Sequence, residues 1–226
     1  MTTTARVPRL RLSAGGWAGV LGIAVPMIGV IILPIWRFPA TTASGVEVLA
    51  FARGHTAALQ AMMLTYTVGV TLWLVFGAAV WARMRAALPS DSMVTTCFAG
   101  GLIAFVTLLL AGFTCFDILV YRQPPPAEAG LLYDLAFGLL AMSGMPTAAA
   151  LTAFAIAVYA HRVFDRPTGH LAVAAAAAHV LLLLSFIVGS GFLSLEGAVI
   201  TVVPALLWIW IAYTASTLTA RPVPTS

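Results

Sequence analysis

The chain has 226 residues, 62% of them hydrophobic and 8% charged, with a mean hydropathy of +1.04 and a formal net charge of +4. About a quarter of a soluble domain is charged, so the chain has too little polar surface to clothe a water-soluble globule, and lipid must be the solvent for most of it. Long unbroken apolar runs then select helices, because the strands of a membrane barrel would alternate in character.

All 11 basic residues are arginine. The absence of lysine excludes a retinal Schiff base, and arginines scattered through short loops argue against a nucleic-acid surface. Cys97 and Cys115 lie on one predicted helix, about 27 Å apart at the α-helical rise, and cannot pair with each other. No cysteine or histidine spacing resembles a metal site.

Arg6, Arg9 and Arg11 precede the first apolar run, Ala14 to Trp36. This run exceeds the core of a signal peptide and lacks a convincing small-residue cleavage site, so it is expected to remain as helix one, residues 14–36. Trp17 and Trp36 fall where interfacial aromatic belts sit, Pro26 is placed to kink the helix and Pro34 to end it. The following loop contains Ser44-Gly45-Val46-Glu47, a capping-box pattern. It predicts a short interfacial helix over Val46 to Arg53; the other reading lets this segment extend helix two. Helix two, residues 56–81, carries Gln60, Thr67 and Thr71 near one face, and Arg83 and Arg85 are expected to stop it.

Helix three, residues 93–121, presents Gly100, Thr107, Thr114 and Tyr121 at seven-residue intervals. Such a stripe reads first as a close packing face and second as a hydroxyl-lined path. The turn Arg122-Gln123-Pro124-Pro125-Pro126-Ala127-Glu128 leads into helix four, residues 131–160, with Asp134 in its first turn and Pro146 at its middle. Helix five, residues 171–193, opens on the alanine run Ala174 to Ala178 and then presents His179. Helix six, residues 197–218, holds Pro204, Trp208 and Trp210.

The expected fold is therefore all-α: a polytopic integral membrane six-helix bundle forming a single transmembrane domain. Arg6, Arg9, Arg11, Arg83, Arg85, Arg162, Arg166 and Arg221 fall on one side, against Arg37, Arg53 and Arg122 on the other. By the positive-inside rule both termini are expected in the cytoplasm, with the protein in the cytoplasmic membrane. Gly19 precedes Pro26 as Gly197 precedes Pro204, a slight hint of internal repetition.

Two groups of residues are candidates for chemistry. Asp117 and Asp134 fall at the same end of the helix three–four hairpin, near His55, Arg53 and Gln60, and together are expected to line an outward-facing ligand pocket. Asp134 suits a helix N-terminus; Asp117, at a C-terminus, needs a partner such as Arg53, Arg122 or His55. The second candidate is catalytic. Ser143 and His179 both fall near the bilayer centre by rise per residue, and Ala141-Met142-Ser143-Gly144 resembles the Gly-x-Ser-Gly nucleophile motif of rhomboid intramembrane proteases, in which a membrane histidine is the base. Ala141 stands where that motif has its first glycine. The plain alternative makes Ser143 and Gly144 a packing notch and His179 an imidazole donating to a nearby carbonyl or to Ser190. Asp134 and Ser143 are about 180° apart around a helix, so they cannot share a pocket.

No His-Glu-x-x-His, Gly-rich phosphate loop or Gly-x-Ser-x-Gly is present. No metal or cofactor is expected. The Arg-bearing N-terminus, six helices, capped loop and final helix VVPALLWIWIAYTASTL resemble uncharacterised bacterial multi-pass membrane families, a likeness of general pattern over most of the chain that implies no activity. The expected function is a non-catalytic membrane component or partner-binding subunit. A small-solute, ion or proton carrier comes second and an intramembrane serine hydrolase third. Expected partners are the lipid bilayer and a membrane-protein partner or a second copy, with no nucleic acid.

Overall fold

The computed structural model describes residues 13–188 and 199–218, and every regular element in them is helical. Helix α1 (Ala14–Ile32) begins where the Ser13 hydroxyl accepts from the Gly16 amide at 3.1 Å; Pro26 stays inside it, and the chain leaves the helix at Leu33 and Pro34. A single 3-10 turn, Ile35–Arg37, follows. The capping box forms as its spacing predicts. Ser44 Oγ accepts from the Glu47 amide at 3.3 Å while Glu47 accepts from the Ser44 amide at 2.8 Å, and α2 (Gly45–Gly54) grows from it. The backbone breaks at His55 (φ −127°), so α2 is separate from α3 (Thr56–Ala87).

Helix α3 runs past the expected stop at residue 81, through Arg83 and Arg85. A long arginine can carry its charge away while its backbone stays helical. Arg83 donates from Nε to the Val163 carbonyl at 3.1 Å and from Nη1 to the Thr217 carbonyl at 3.2 Å, with its guanidinium 4.4 Å over the Phe164 ring. It therefore ties three segments together at the end where the first and last described residues meet. There the Ser13 amide donates to the Leu218 carbonyl at 2.8 Å.

Helix α4 (Met93–Arg122) ends as Gln123 turns left-handed (φ 46°). The expected fourth helix is two pieces, α5 (Pro126–Met142) and α6 (Gly144–His161). It starts at Pro126 rather than Leu131 because proline in a first turn loses no hydrogen bond. Pro146 supplies no N–H for the Met142 carbonyl, and the ladder is interrupted at Ser143, whose backbone keeps near-helical angles (φ −61°, ψ −17°). Helix α7 (Arg166–Leu181) likewise begins early, with proline in its first turn, and then tightens into a 3-10 stretch, Leu182–Phe186, instead of continuing as α-helix to 193. Helix α8 covers Val199–Thr217. Arg6, Arg9, Arg11, Ser190, Glu196, Gly197 and Arg221 of the sequence reading lie outside the described residues. Five runs are long and apolar enough to cross a membrane: Ala14–Arg37, Thr56–Ala87, Met93–Arg122, Pro126–His161 and Arg166–Phe186. The apolar Val202–Thr217 is shorter.

Close packing follows the small residues. A methyl group at Gly22 would fall 2.5 Å from Trp73 Cδ1, and one at Gly19 would fall 2.8 Å from the Phe76 ring and 2.9 Å from Ala215 Cβ. Helices α1, α3 and α8 thus meet at Gly19. Gly22 and Gly69 bring the α1 and α3 backbones together beside Pro26, covering the Gly22 carbonyl that this proline leaves without its usual donor. Between α6 and α7 the alanine run contributes buried Ala175 and Ala176.

The helix-three stripe does not pack. Gly100, Thr107, Thr114 and Tyr121 are all exposed, and nothing approaches the position of a Gly100 Cβ within 4 Å. Bulky Phe98, Phe105, Phe113 and Phe116 occupy the interior of α4 instead. Thr114 tolerates the apolar side because its hydroxyl donates to the Leu110 carbonyl at 2.8 Å.

Candidate functional site

At the α2 end, Phe116 sits edge-on to Tyr133 and to Phe137, each at 5.8 Å, and the buried Tyr133 hydroxyl donates to the Pro39 carbonyl. This aromatic cluster fixes the hairpin on which Asp117 and Asp134 ride, and it turns both acids outward. Asp117 and Asp134 are exposed, as are Arg53 and Gln60, and His55 is half-buried. Arg53 donates to Gln123 at 3.3 Å, His55 Nδ1 lies 3.0 Å from the Phe51 carbonyl, and the Arg122 guanidinium stands 5.7 Å from the Tyr121 ring. None of these three pairs with Asp117. Just outside the spans, the two Ser44 hydrogen bonds hold the Glu47 carboxyl below its ordinary value, since they favour the charged form.

An apolar space between the helices lies elsewhere. A chamber of about 350 Å³ lies among the five long apolar spans and α8. Its walls are Pro26, Met27 and Val30 of α1, Tyr66, Val70 and Trp73 of α3, and Phe105, Leu109 and Phe113 of α4. Leu140 and Ser143, His179 and Leu182, and Pro204, Ala205 and Trp208 complete it, with Ile35 and Trp36 toward the α2 end. Helices α1 and α8 run antiparallel and touch near the termini, from Ser13–Leu218 to Gly19–Ala215. Beyond those contacts both border the chamber. Neither this space, nor a shallow hollow at the α6–α7 loop, nor a void of about 20 Å³ beside Trp210, is lined by Asp117, Asp134, His55, Arg53 or Gln60.

Ser143 and His179 do come together on the chamber wall. A methyl at Gly144 would fall 2.5 Å from the His179 carbonyl, so the start of α6 and this part of α7 are at one level. Ser143 is 3% exposed and His179 2%. Each nevertheless bonds to its own helix: Ser143 Oγ donates to the Leu140 carbonyl at 2.6 Å, and His179 Nδ1 lies 2.7 Å from the Ala175 carbonyl. A carbonyl can only accept, so Nδ1 carries the ring proton and Nε2 presents a lone pair. Nε2 has no partner among the described residues, and no Ser143–His179 hydrogen bond forms among them. Trp208 also lines the chamber, but its buried indole N–H is unpartnered and covered by packed protein. The indole N–H of Trp73 is unpartnered too, and that edge of the ring lies against Gly22 of α1.

Tyr66 and Trp208 were missed by the motif search because neither belongs to a recognised pattern. The available signal was positional: Pro26, Pro146 and Pro204 each fall deep within an apolar run, where a broken helix borders a cavity more readily than lipid. Among the described residues no three His, Cys, Asp or Glu side chains gather as a metal ion would require. No family model, curated protein or solved structure matches this chain.

Proposed function

We propose that this chain is a non-catalytic membrane component that holds an apolar, lipid-chain-sized molecule in the chamber between its helices. The observation that carries the proposal is the chamber's chemistry. Apart from Ser143 and His179, the described residues of its wall are apolar or aromatic, with no Asp, Glu or Arg among them, and its volume falls within the usual range of ligand cavities, roughly 300–1,000 Å³. A transported ion would find no charge there to replace its water. A serine hydrolase needs the nucleophile and base joined by a hydrogen bond, whereas Ser143 and His179 each spend a proton on their own helix backbone.

The proposal places the chain six times across the cytoplasmic membrane with both termini in the cytoplasm. Antiparallel contact of α8 with the first crossing supports an even number of passes, and the arginine count supports the orientation. Reporter fusions to each terminus test the topology. Solvent extraction of the detergent-purified protein, followed by mass spectrometry, tests the ligand. One alkyl-chain compound near equimolar amount and enriched over bulk lipid is expected; membrane lipids in their bulk proportions alone would refute the proposal.

A further inference from the structure

The chamber's unspent hydrogen-bonding group specifies the head of the molecule it takes, an inference that rests on the chamber reading above. His179 is almost wholly buried, and its Nδ1 proton is committed to the Ala175 carbonyl. With Nδ1 turned back onto α7, the ring edge carrying Nε2 faces away from its own helix, and the residue lines the chamber. Nε2 is therefore an acceptor without a donor. Trp208 also lines the chamber, but its unpartnered indole N–H is covered by packed protein and does not open onto that space. Ser143 has already given its proton to Leu140. Tyr66, whose hydroxyl can donate or accept, does not discriminate between ligand types.

We propose that the chamber takes a lipophilic molecule with a free hydroxyl head, whose O–H donates to His179 Nε2. A ketone, ester or ether has no proton to give and would leave Nε2 empty. A carboxylate or ammonium would bring an unpaired charge into an apolar space, at a cost of several kcal/mol. An alcohol completes the bond to Nε2 and stays neutral. At about 30 Å³ per water-sized group, the chamber holds roughly a dozen non-hydrogen atoms, the size of a medium-chain alkanol or the hydroxyl end of a longer lipid.

The test uses the full chain in nanodiscs and three terminally brominated probes of equal length: an alkanol, its methyl ether, and the plain alkane. Bromine quenches the chamber tryptophans, and only saturable quenching counts as binding, since exposed Trp17 and Trp81 respond to simple partitioning. The alkanol is expected to bind about tenfold tighter than the ether, the factor of one good hydrogen bond. His179→Phe keeps a ring of similar size and should erase that ratio while still binding the alkane. Equal binding of alkanol and ether overturns the hydroxyl assignment and leaves the chamber reading standing, as does a ratio that survives His179→Phe. If no probe quenches saturably, both readings fail. Should His179→Phe not fold, the wild-type ratio still decides.

Discussion

Gly100 and Gly101 are neighbours on α4, yet alanine at the two positions should have opposite effects. Replacing glycine by alanine within a helix favours it by about 1 kcal/mol, because less backbone freedom is lost on folding. At Gly100 the new methyl meets nothing within 4 Å, so Gly100→Ala should stabilise by roughly 0.5–1 kcal/mol. At Gly101 it falls 2.6 Å from the Pro146 carbonyl oxygen and 2.9 Å from the Ala150 nitrogen. Both neighbours are backbone, so no rotamer change relieves the clash, and α4 must move off α6 by the better part of an ångström. Overpacking of this kind costs about 1–3 kcal/mol, and with backbone on both sides the upper part of that range, about 2–3 kcal/mol, applies, which leaves Gly101→Ala roughly 1–2 kcal/mol less stable than the parent after the propensity gain. Reversible unfolding in mixed micelles of rising SDS fraction, followed by tryptophan fluorescence, measures both changes on one scale. Shifts of the same sign, or a Gly101→Ala protein within about 0.5 kcal/mol of the parent, would refute the α4–α6 crossing described above.

Four further outcomes are expected. The Glu47 carboxyl is held below its ordinary value by Ser44, so its contribution to α2 is complete above the unfolded-state value and is lost as pH falls through the lower folded one; amide exchange at Ser44 and Glu47 should speed up in that acidic window, and Glu47→Gln should abolish the pH step. Tyr133→Phe removes the donor to the Pro39 carbonyl from a buried site and should cost about 1–2 kcal/mol, seen as faster proteolysis of residues 37–44, with unchanged cleavage counting against it. A fluorophosphonate probe should leave the protein unlabelled, whereas labelling that disappears in Ser143→Ala would restore the hydrolase reading. Asp117→Asn and Asp134→Asn should change neither protein level nor saturable probe quenching, since both side chains lie outside the chamber; a loss of quenching in either variant would place an acid in the site.

Features set by local chemistry were legible in the sequence. The Ser44–Glu47 box forms because both partners lie within one turn, and the runs that cross lipid are helical because no other open-ended structure satisfies its backbone there. What could not be read was which face of each helix turns inward. Gly100 and Gly101 illustrate the difficulty: adjacent and identical in chemistry, one faces outward and the other touches α6. In lipid an apolar outer face and an apolar inner face have the same composition, so the period that separates them in soluble proteins is absent. The misreading of the Thr107–Thr114 stripe has this origin. Asp117 and Asp134 show the same limit: their shared level on a hairpin was legible, and the direction in which each side chain points was not. The continuation of α3 through Arg83 is a third case, because its carbonyl partners at Val163 and Thr217 are distant in the chain.

The chamber itself follows from where helices are interrupted. Straight helices carrying small residues pack without leaving a space of this size. Here Pro26, Ser143, Leu182 and Pro204 all border the chamber; two are prolines within helices, one is the α5–α6 junction and one begins a 3-10 stretch. Such interruptions loosen the backbone ladder inside lipid, where bare carbonyls are expensive. Nearby side chains answer that need: Ser143 donates to Leu140, Thr147 to Ser143 at 2.7 Å, Ser185 to Leu182, and His179 to Ala175. Every hydroxyl in that set is engaged with its own helix, so the Ser143 proton points to Leu140 and not to His179 in this arrangement. The same accounting leaves the lone pair of His179 Nε2 over on the chamber wall, while the unpartnered indole N–H groups of Trp73, Trp208 and Trp210 and the Thr214 hydroxyl are enclosed in packed protein. An apolar space with one open acceptor on its wall is arranged to receive a donor at the end of an apolar chain.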